Sequence, residues 1–235
     1  MKGALIGIGL SVMAASPTLA ADMPVKARPV PVAVAMTTWT GCYIGANIGA
    51  GWSDQRYTVV SGASAGETRY DFSSDGIVGG GQVGCDLQYG QFVFGVQGMW
   101  DASGIEGRGD VIGGVNVTAE TKVSSFATLT GRLGFAAQPN WLLYVKGGGA
   151  WVRSKHTEFV TSTGALFNGP EKLTHTGWTI GGGAEWMFTP GWSAFVEYNY
   201  MDLKDKFAPV LFFNIKQDVQ VVLVGLNYRF GSGRY

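Results

Sequence analysis

Seven of the eight tryptophans in this 235-residue chain fall on alternate positions of short, glycine-rich segments, and the intervening positions carry Asn, Gln, Asp, Glu, Lys or Arg. A period of two belongs to an extended strand, whose side chains point to opposite faces in turn. A strand with Trp, Leu and Val on one face and carboxylates on the other suits a closed barrel with lipid outside and a polar interior. The pattern therefore constrains the chain to an all-β transmembrane barrel and points to the outer membrane.

The ends of the chain agree with that destination. Residues 1–20 begin with Lys2 and continue as an uncharged, mostly apolar run, followed by small residues around Ala20 and Ala21. This reads as a signal peptide cleaved after Ala20 or Ala21, too short to span a bilayer, which needs roughly 20 apolar residues. Residues 22–40, with Pro24, Pro29 and Pro31, read as a proline-rich periplasmic linker, because proline favours extended chain and removes ladder donors. Loss of Lys2 leaves 16 basic residues against 17 acidic, so there is no basic excess to attract nucleic acid. Residues 41–230 read as one barrel domain and residues 231–235 as a short tail.

Eight segments fit a strand template: 42–55, 74–89, 91–103, 118–137, 141–155, 173–189, 191–204 and 216–230. Short connections with turn chemistry, such as Pro190-Gly191, alternate with long ones, such as 56–73 and 156–172. That asymmetry predicts an eight-stranded antiparallel up-and-down transmembrane β-barrel with short periplasmic turns, four longer extracellular loops and both termini in the periplasm. The parity of the polar residues assigns the charges Asp86, Asp101, Arg132, Lys146, Glu185, Glu197 and Arg229 to the interior. The opposite parity then carries Trp52, Trp100, Trp141, Trp151, Trp178, Trp186 and Trp192 as aromatic girdles, where an apolar ring with one N–H donor is favoured. Trp141 and Trp151 are ten residues apart, which at the usual rise and tilt is about 25 Å, the height of an apolar band.

With the segments in place, the chain resembles the small outer-membrane barrels of alphaproteobacteria typified by the 25-kDa and 31-kDa outer-membrane immunogenic proteins, within the opacity-protein-like and OmpA-like class of the porin family. The resemblance rests on Ala20-Ala21-Asp22-Met23-Pro24, Trp39-Thr40-Gly41-Cys42-Tyr43-Ile44-Gly45, Gly79-Gly80-Gly81-Gln82-Val83-Gly84, Gly131-Arg132-Leu133-Gly134, Glu197-Tyr198 and Gly225-Leu226-Asn227-Tyr228-Arg229-Phe230. It implies a structural role in envelope integrity with surface antigen display. It also implies that Val222, Val224, Leu226, Tyr228 and Phe230 form the signal read by the barrel-assembly machinery, the tail placing that final Phe five residues early.

The residues themselves leave several readings open. An interior just wide enough for side chains favours pairing of the inward charges over an open pore, so a narrow porin is an alternative function. An adhesin or receptor acting through the loops on a host surface or small ligand is another. Outer-membrane lipid and lipopolysaccharide are the expected surroundings. Cys42 and Cys85 share outward parity near the periplasmic ends of the first two strands, where they form either a disulfide or two lipid-facing thiols. No cysteine or histidine spacing suits a metal, and no cofactor motif is present: the glycine runs 79–81, 147–149 and 181–183 lie inside strands without a following helix. His156 and His175, with Ser154 and Ser162, make a thin case for a hydrolase and are expected to be solvated loop residues, so no enzyme is expected. In the fourth loop, 207–213 is an apolar cluster.

Overall fold

The computed structural model describes residues 38–59, 66–110, 116–208 and 213–230. The signal peptide, most of the linker and the tail lie outside the described residues, as do residues 209–212 of the apolar fourth loop. Period-two patterning becomes eight strands: β1 Gly41–Val59, β2 Thr68–Tyr89, β3 Phe92–Asp110, β4 Val117–Gln138, β5 Trp141–Val160, β6 Leu166–Thr189, β7 Trp192–Ala208 and β8 Phe213–Phe230. Each pairs antiparallel with its neighbours in sequence, and β1 closes on β8 from Cys42↔Phe230 to Val59↔Phe213, leaving no free edge. The connections at one end are two residues each, at 90–91, 139–140 and 190–191. Those at the other end span 60–67, 111–116, 161–165 and 209–212.

The strands run further at the outer end than the sequence intervals suggest. The segment expected to stop at Lys155 continues to Val160, and the one expected to begin at Leu173 begins at Leu166. The reason is a change of solvent along the strand. Between the girdles the outer face is apolar, as lipid demands, and the inner face carries the charged and amide side chains together with apolar ones such as Leu223 and Phe195. Beyond them the outer face carries Glu106, Arg108, Lys122 and Arg153 while Ile105, Val123 and Leu173 turn inward and are buried. That is the pattern of a barrel in water, so the wall continues for about 20 Å past the membrane. Register shifts at Ala102/Ile105, Val123/Ser125 and Leu203/Lys206 mark the transition and bend the wall.

Candidate functional site

The barrel interior is built in layers from the inward positions of all eight strands. At the periplasmic end, Arg229 of β8 donates to the carbonyl oxygens of Trp39 at 2.6 Å and Gly41 at 3.1 Å, and to Asp86 Oδ2 at 2.9 Å. Arg132 of β4 pairs with Glu185 and lies 3.5 Å from Asp86 Oδ2. Its guanidinium sits 3.8 Å from the centre of the Tyr144 ring, and that of Arg229 sits 4.9 Å from Tyr43. Two arginines between two carboxylates, with aromatic faces over the cations, balance charge inside a space that excludes water. Trp39 itself, which its proline-rich context assigns to the linker, is fully buried beneath this cluster.

A chain of amides carries the network upward. Ser193 Oγ and Asn227 Nδ2 donate to Glu185 at 2.6 and 2.9 Å, Gln82 Nε2 donates to Asn227 Oδ1 at 2.8 Å, and Asn47 Nδ2 donates to Gln82 Oε1 at 2.9 Å. On the facing wall, Lys146 donates to Glu197 at 2.6 Å and Gln97 at 2.9 Å, while Tyr144 and Asn199 each donate to Glu197 at 2.8 Å. Asp101 is fully buried, and neither of its carboxylate oxygens has a hydrogen-bond partner among the described residues. The seven charges assigned inward from parity are thus inside, and six of them meet in two ion-paired clusters.

Above the lysine cluster the lumen is closed by apolar side chains. Val78, Met99, Ile105, Val123, Phe126, Val152, Met201, Leu203, Val219 and Val221 pack there at 0–4% exposure, drawn from β2, β3, β4, β5, β7 and β8. The lining of a water-filled channel stays exposed to solvent, and this one does not. Polar positions complete the wall, with Ser53 opposite Val219 and His175 opposite Val152. Ser53, Gln55, Ser74 and Gln217 hydrogen-bond among themselves at 2.8–3.0 Å.

At the extracellular end, His156 accepts or donates at both ring nitrogens. Nδ1 meets the Tyr57 hydroxyl at 2.8 Å and Thr121 at 3.1 Å, and Nε2 meets Ser154 Oγ at 2.8 Å. Both histidines are fully buried, contrary to the expectation of solvated loop residues, because the strands that carry them extend past the membrane and turn them inward. The Ser154–His156 contact lacks the geometry of a hydrolase. Ser154 is 1% exposed, and Nδ1 meets hydroxyls where a catalytic carboxylate would orient the ring. Ser162 lies in the 161–165 connection and takes a hydrogen bond from Asn116 at 2.5 Å. Burial, followed by the neighbouring His175, pushes the His156 imidazole down to about 3.

The outer wall carries the remaining residues singled out from sequence. All seven strand tryptophans are exposed at 37–57%, with Trp141, Trp186 and Trp192 near the periplasmic turns and Trp52, Trp100, Trp151 and Trp178 at the other border. Val222, Val224, Leu226, Tyr228 and Phe230 form the lipid-facing stripe of β8. Cys42 and Cys85 stand opposite each other on β1 and β2 and are joined as a disulfide on the exposed face. Sequence reasoning missed the apolar band, Trp39 and the histidine cluster. The band was signalled by Val219, Val221 and Leu223, which share the parity of Arg229.

Comparison with known proteins agrees with this architecture. The outer membrane protein beta-barrel domain matches residues 9–230. The 31 kDa outer-membrane immunogenic protein of Brucella melitensis is 31% identical over 98% of this chain and 100% of its own length. The 25 kDa outer-membrane immunogenic protein of Brucella abortus is 27% identical over 90% of each chain. Among solved structures, the outer membrane protein OprG of Pseudomonas aeruginosa superposes with a TM-score of 0.51 at 16% identity, covering 81% of this chain and 96% of that one, and so shares the fold. A closed barrel girdled by tryptophan, matched along nearly its whole length, places the chain in the outer membrane as a member of the outer membrane protein beta-barrel domain family.

Proposed function

We propose that this barrel is a structural component of the outer membrane that contributes to envelope integrity and displays its outer wall as surface antigen. The observation that carries the reading is the filled interior: two ion-paired clusters at the periplasmic end and an apolar band above them, all buried. Such an interior supports a stiff wall and speaks against an aqueous route, which ranks a narrow porin below a sealed barrel. The strand extensions lift charged, exposed residues above the membrane, as surface display requires, and the immunogenic names of the Brucella relatives point the same way. An adhesin acting through the extracellular connections has less to support it, since those connections are eight, six, five and four residues long. The stripe from Val222 to Phe230 is read as the signal for the barrel-assembly machinery, and lipid with lipopolysaccharide is the surrounding partner.

A deletion strain tests the proposal. It is expected to become sensitive to deoxycholate and to large antibiotics that an intact outer membrane excludes, with resistance restored by the wild-type chain. Unchanged sensitivity combined with slower uptake of a small sugar would instead favour a porin.

A further inference from the structure

Just beyond the upper girdle the outer surface is not uniformly charged. On β3 and β4 opposite signs face each other across the ladder, Glu106 against Lys122 and Arg108 against Glu120, and both pairs make contact. On β4, β5 and β6 the rule breaks: Lys122 stands directly opposite Lys155, and Lys155 directly opposite Lys172. Cross-strand partners lie about 5 Å apart, and like charges there are destabilising. Arg153 lies two residues nearer the membrane on the same face of β5. Among the described residues no carboxylate comes within ion-pair distance of Arg153, Lys155 or Lys172. Glu158 and Glu171, close in sequence, are buried in the interior. On the opposite wall the ring at the level of Arg153 is acidic, with Asp202, Asp218 and Asp54 in register across β7, β8 and β1, and where Lys216 stands opposite Arg56 one step further out, Arg56 has Asp71 3.6 Å away as its counter-charge.

Height decides what such a face meets. Trp151 marks the headgroup level, and Arg153 and Lys155 follow it by two and four residues on the same strand, which is about 5 and 10 Å further out. That is where the phosphates of an outer-leaflet glycolipid lie. We propose that Arg153, Lys155 and Lys172, assisted by Lys122, form a binding site for the phosphorylated headgroup of lipid A. The arginine fork chelates phosphate oxygens, and the lysines act as mobile point charges. The glycolipid supplies the counter-charge that the chain omits, while its acyl chains lie against the apolar wall of Leu129, Val145 and Ile180 below.

The test is titration of the refolded full chain in micelles with diphosphoryl lipid A, read by native mass spectrometry, after heat-modifiable mobility has shown that each variant is folded. R153Q/K155Q/K172Q is expected to weaken binding at least tenfold. The charge-preserving K155R/K172R is expected to keep wild-type affinity, and K204Q/K216Q on the acidic side is expected to stay within twofold. Dephosphorylated lipid A is expected to bind wild type no better than the triple variant. Equal binding by wild type and triple variant, or full retention of the dephosphorylated lipid, would overturn the proposal. So would displacement of lipid A by an equal concentration of inorganic phosphate, which would make this a site for a free anion.

Discussion

Glu185 takes contacts from Arg132, Arg229, Ser193 and Asn227, each from a different position on the wall. Neutralising it leaves two buried guanidinium groups with Asp86 alone, and an uncompensated buried charge costs about 3–5 kcal/mol. Glu185→Gln is expected to lower the unfolding free energy of the refolded barrel, measured by urea titration, by that amount, whereas Asp54→Asn on the exposed outer face is expected to leave it within about 0.5 kcal/mol. An equal effect of the two would mean that the internal network does not hold the barrel. His156 makes a second prediction at this scale. Its imidazole is held at about 3, below the ordinary value of about 6.5. The folded state therefore favours the neutral ring, and this contribution to stability is complete above about 6.5 and is lost as pH falls from there towards 3. Opening free energies around Tyr57, Thr121 and Ser154, measured by hydrogen exchange and corrected for intrinsic rates, are expected to fall between pH 7 and pH 4.5. In His156→Gln that part of the pH dependence should disappear. If the slope persists unchanged, His156 is not its source.

The strands show how close the backbones come. A Cβ on Gly148 would stand 2.0 Å from the Leu129 carbonyl oxygen of the neighbouring strand, and backbone cannot swing aside as a side chain can. The adjacent Gly147 faces outward, with the nearest atom, Thr179 O, at 3.5 Å. Gly148→Ala is expected to destabilise by about 1–3 kcal/mol, and Gly147→Ala to be neutral or slightly stabilising. Comparable urea midpoints for the two would contradict the packing argument. These membrane-spanning parts of the strands were legible in the sequence because one solvent, lipid, imposes one alternation, and Trp151 with Lys146 suffices to fix both faces of β5. Their outer extensions were not. Past Trp151 the polarity inverts, so Arg153 and Lys155 on the outer face read as the end of a strand and the onset of a loop. For the same reason His156 and His175 looked solvated. Trp39 was hidden by a different cause: proline-rich composition is a local signal, whereas its burial is fixed by Gln88 and Arg229, 49 and 190 residues away.

At the scale of the whole molecule, each layer alone would be a poor seal. The ion-paired clusters bring polar atoms that hydrate readily, and the side chains of the apolar band join the strands by packing alone, without hydrogen bonds to one another. Stacked in one closed barrel, the lower clusters join strands through charge while the band packs apolar side chains across the same axis. The parity that carries the charges inward also carries Val219, Val221 and Met201 there, and the sealed interior proposed above rests on both sets of side chains. Single-channel recording of the refolded, heat-modifiable protein in a planar bilayer tests this most directly. A silent membrane with the barrel inserted and folded is the expected result. Discrete, reproducible steps that disappear when Lys146 or Glu197 is changed would contradict it, because they would require a continuous water path through the apolar band.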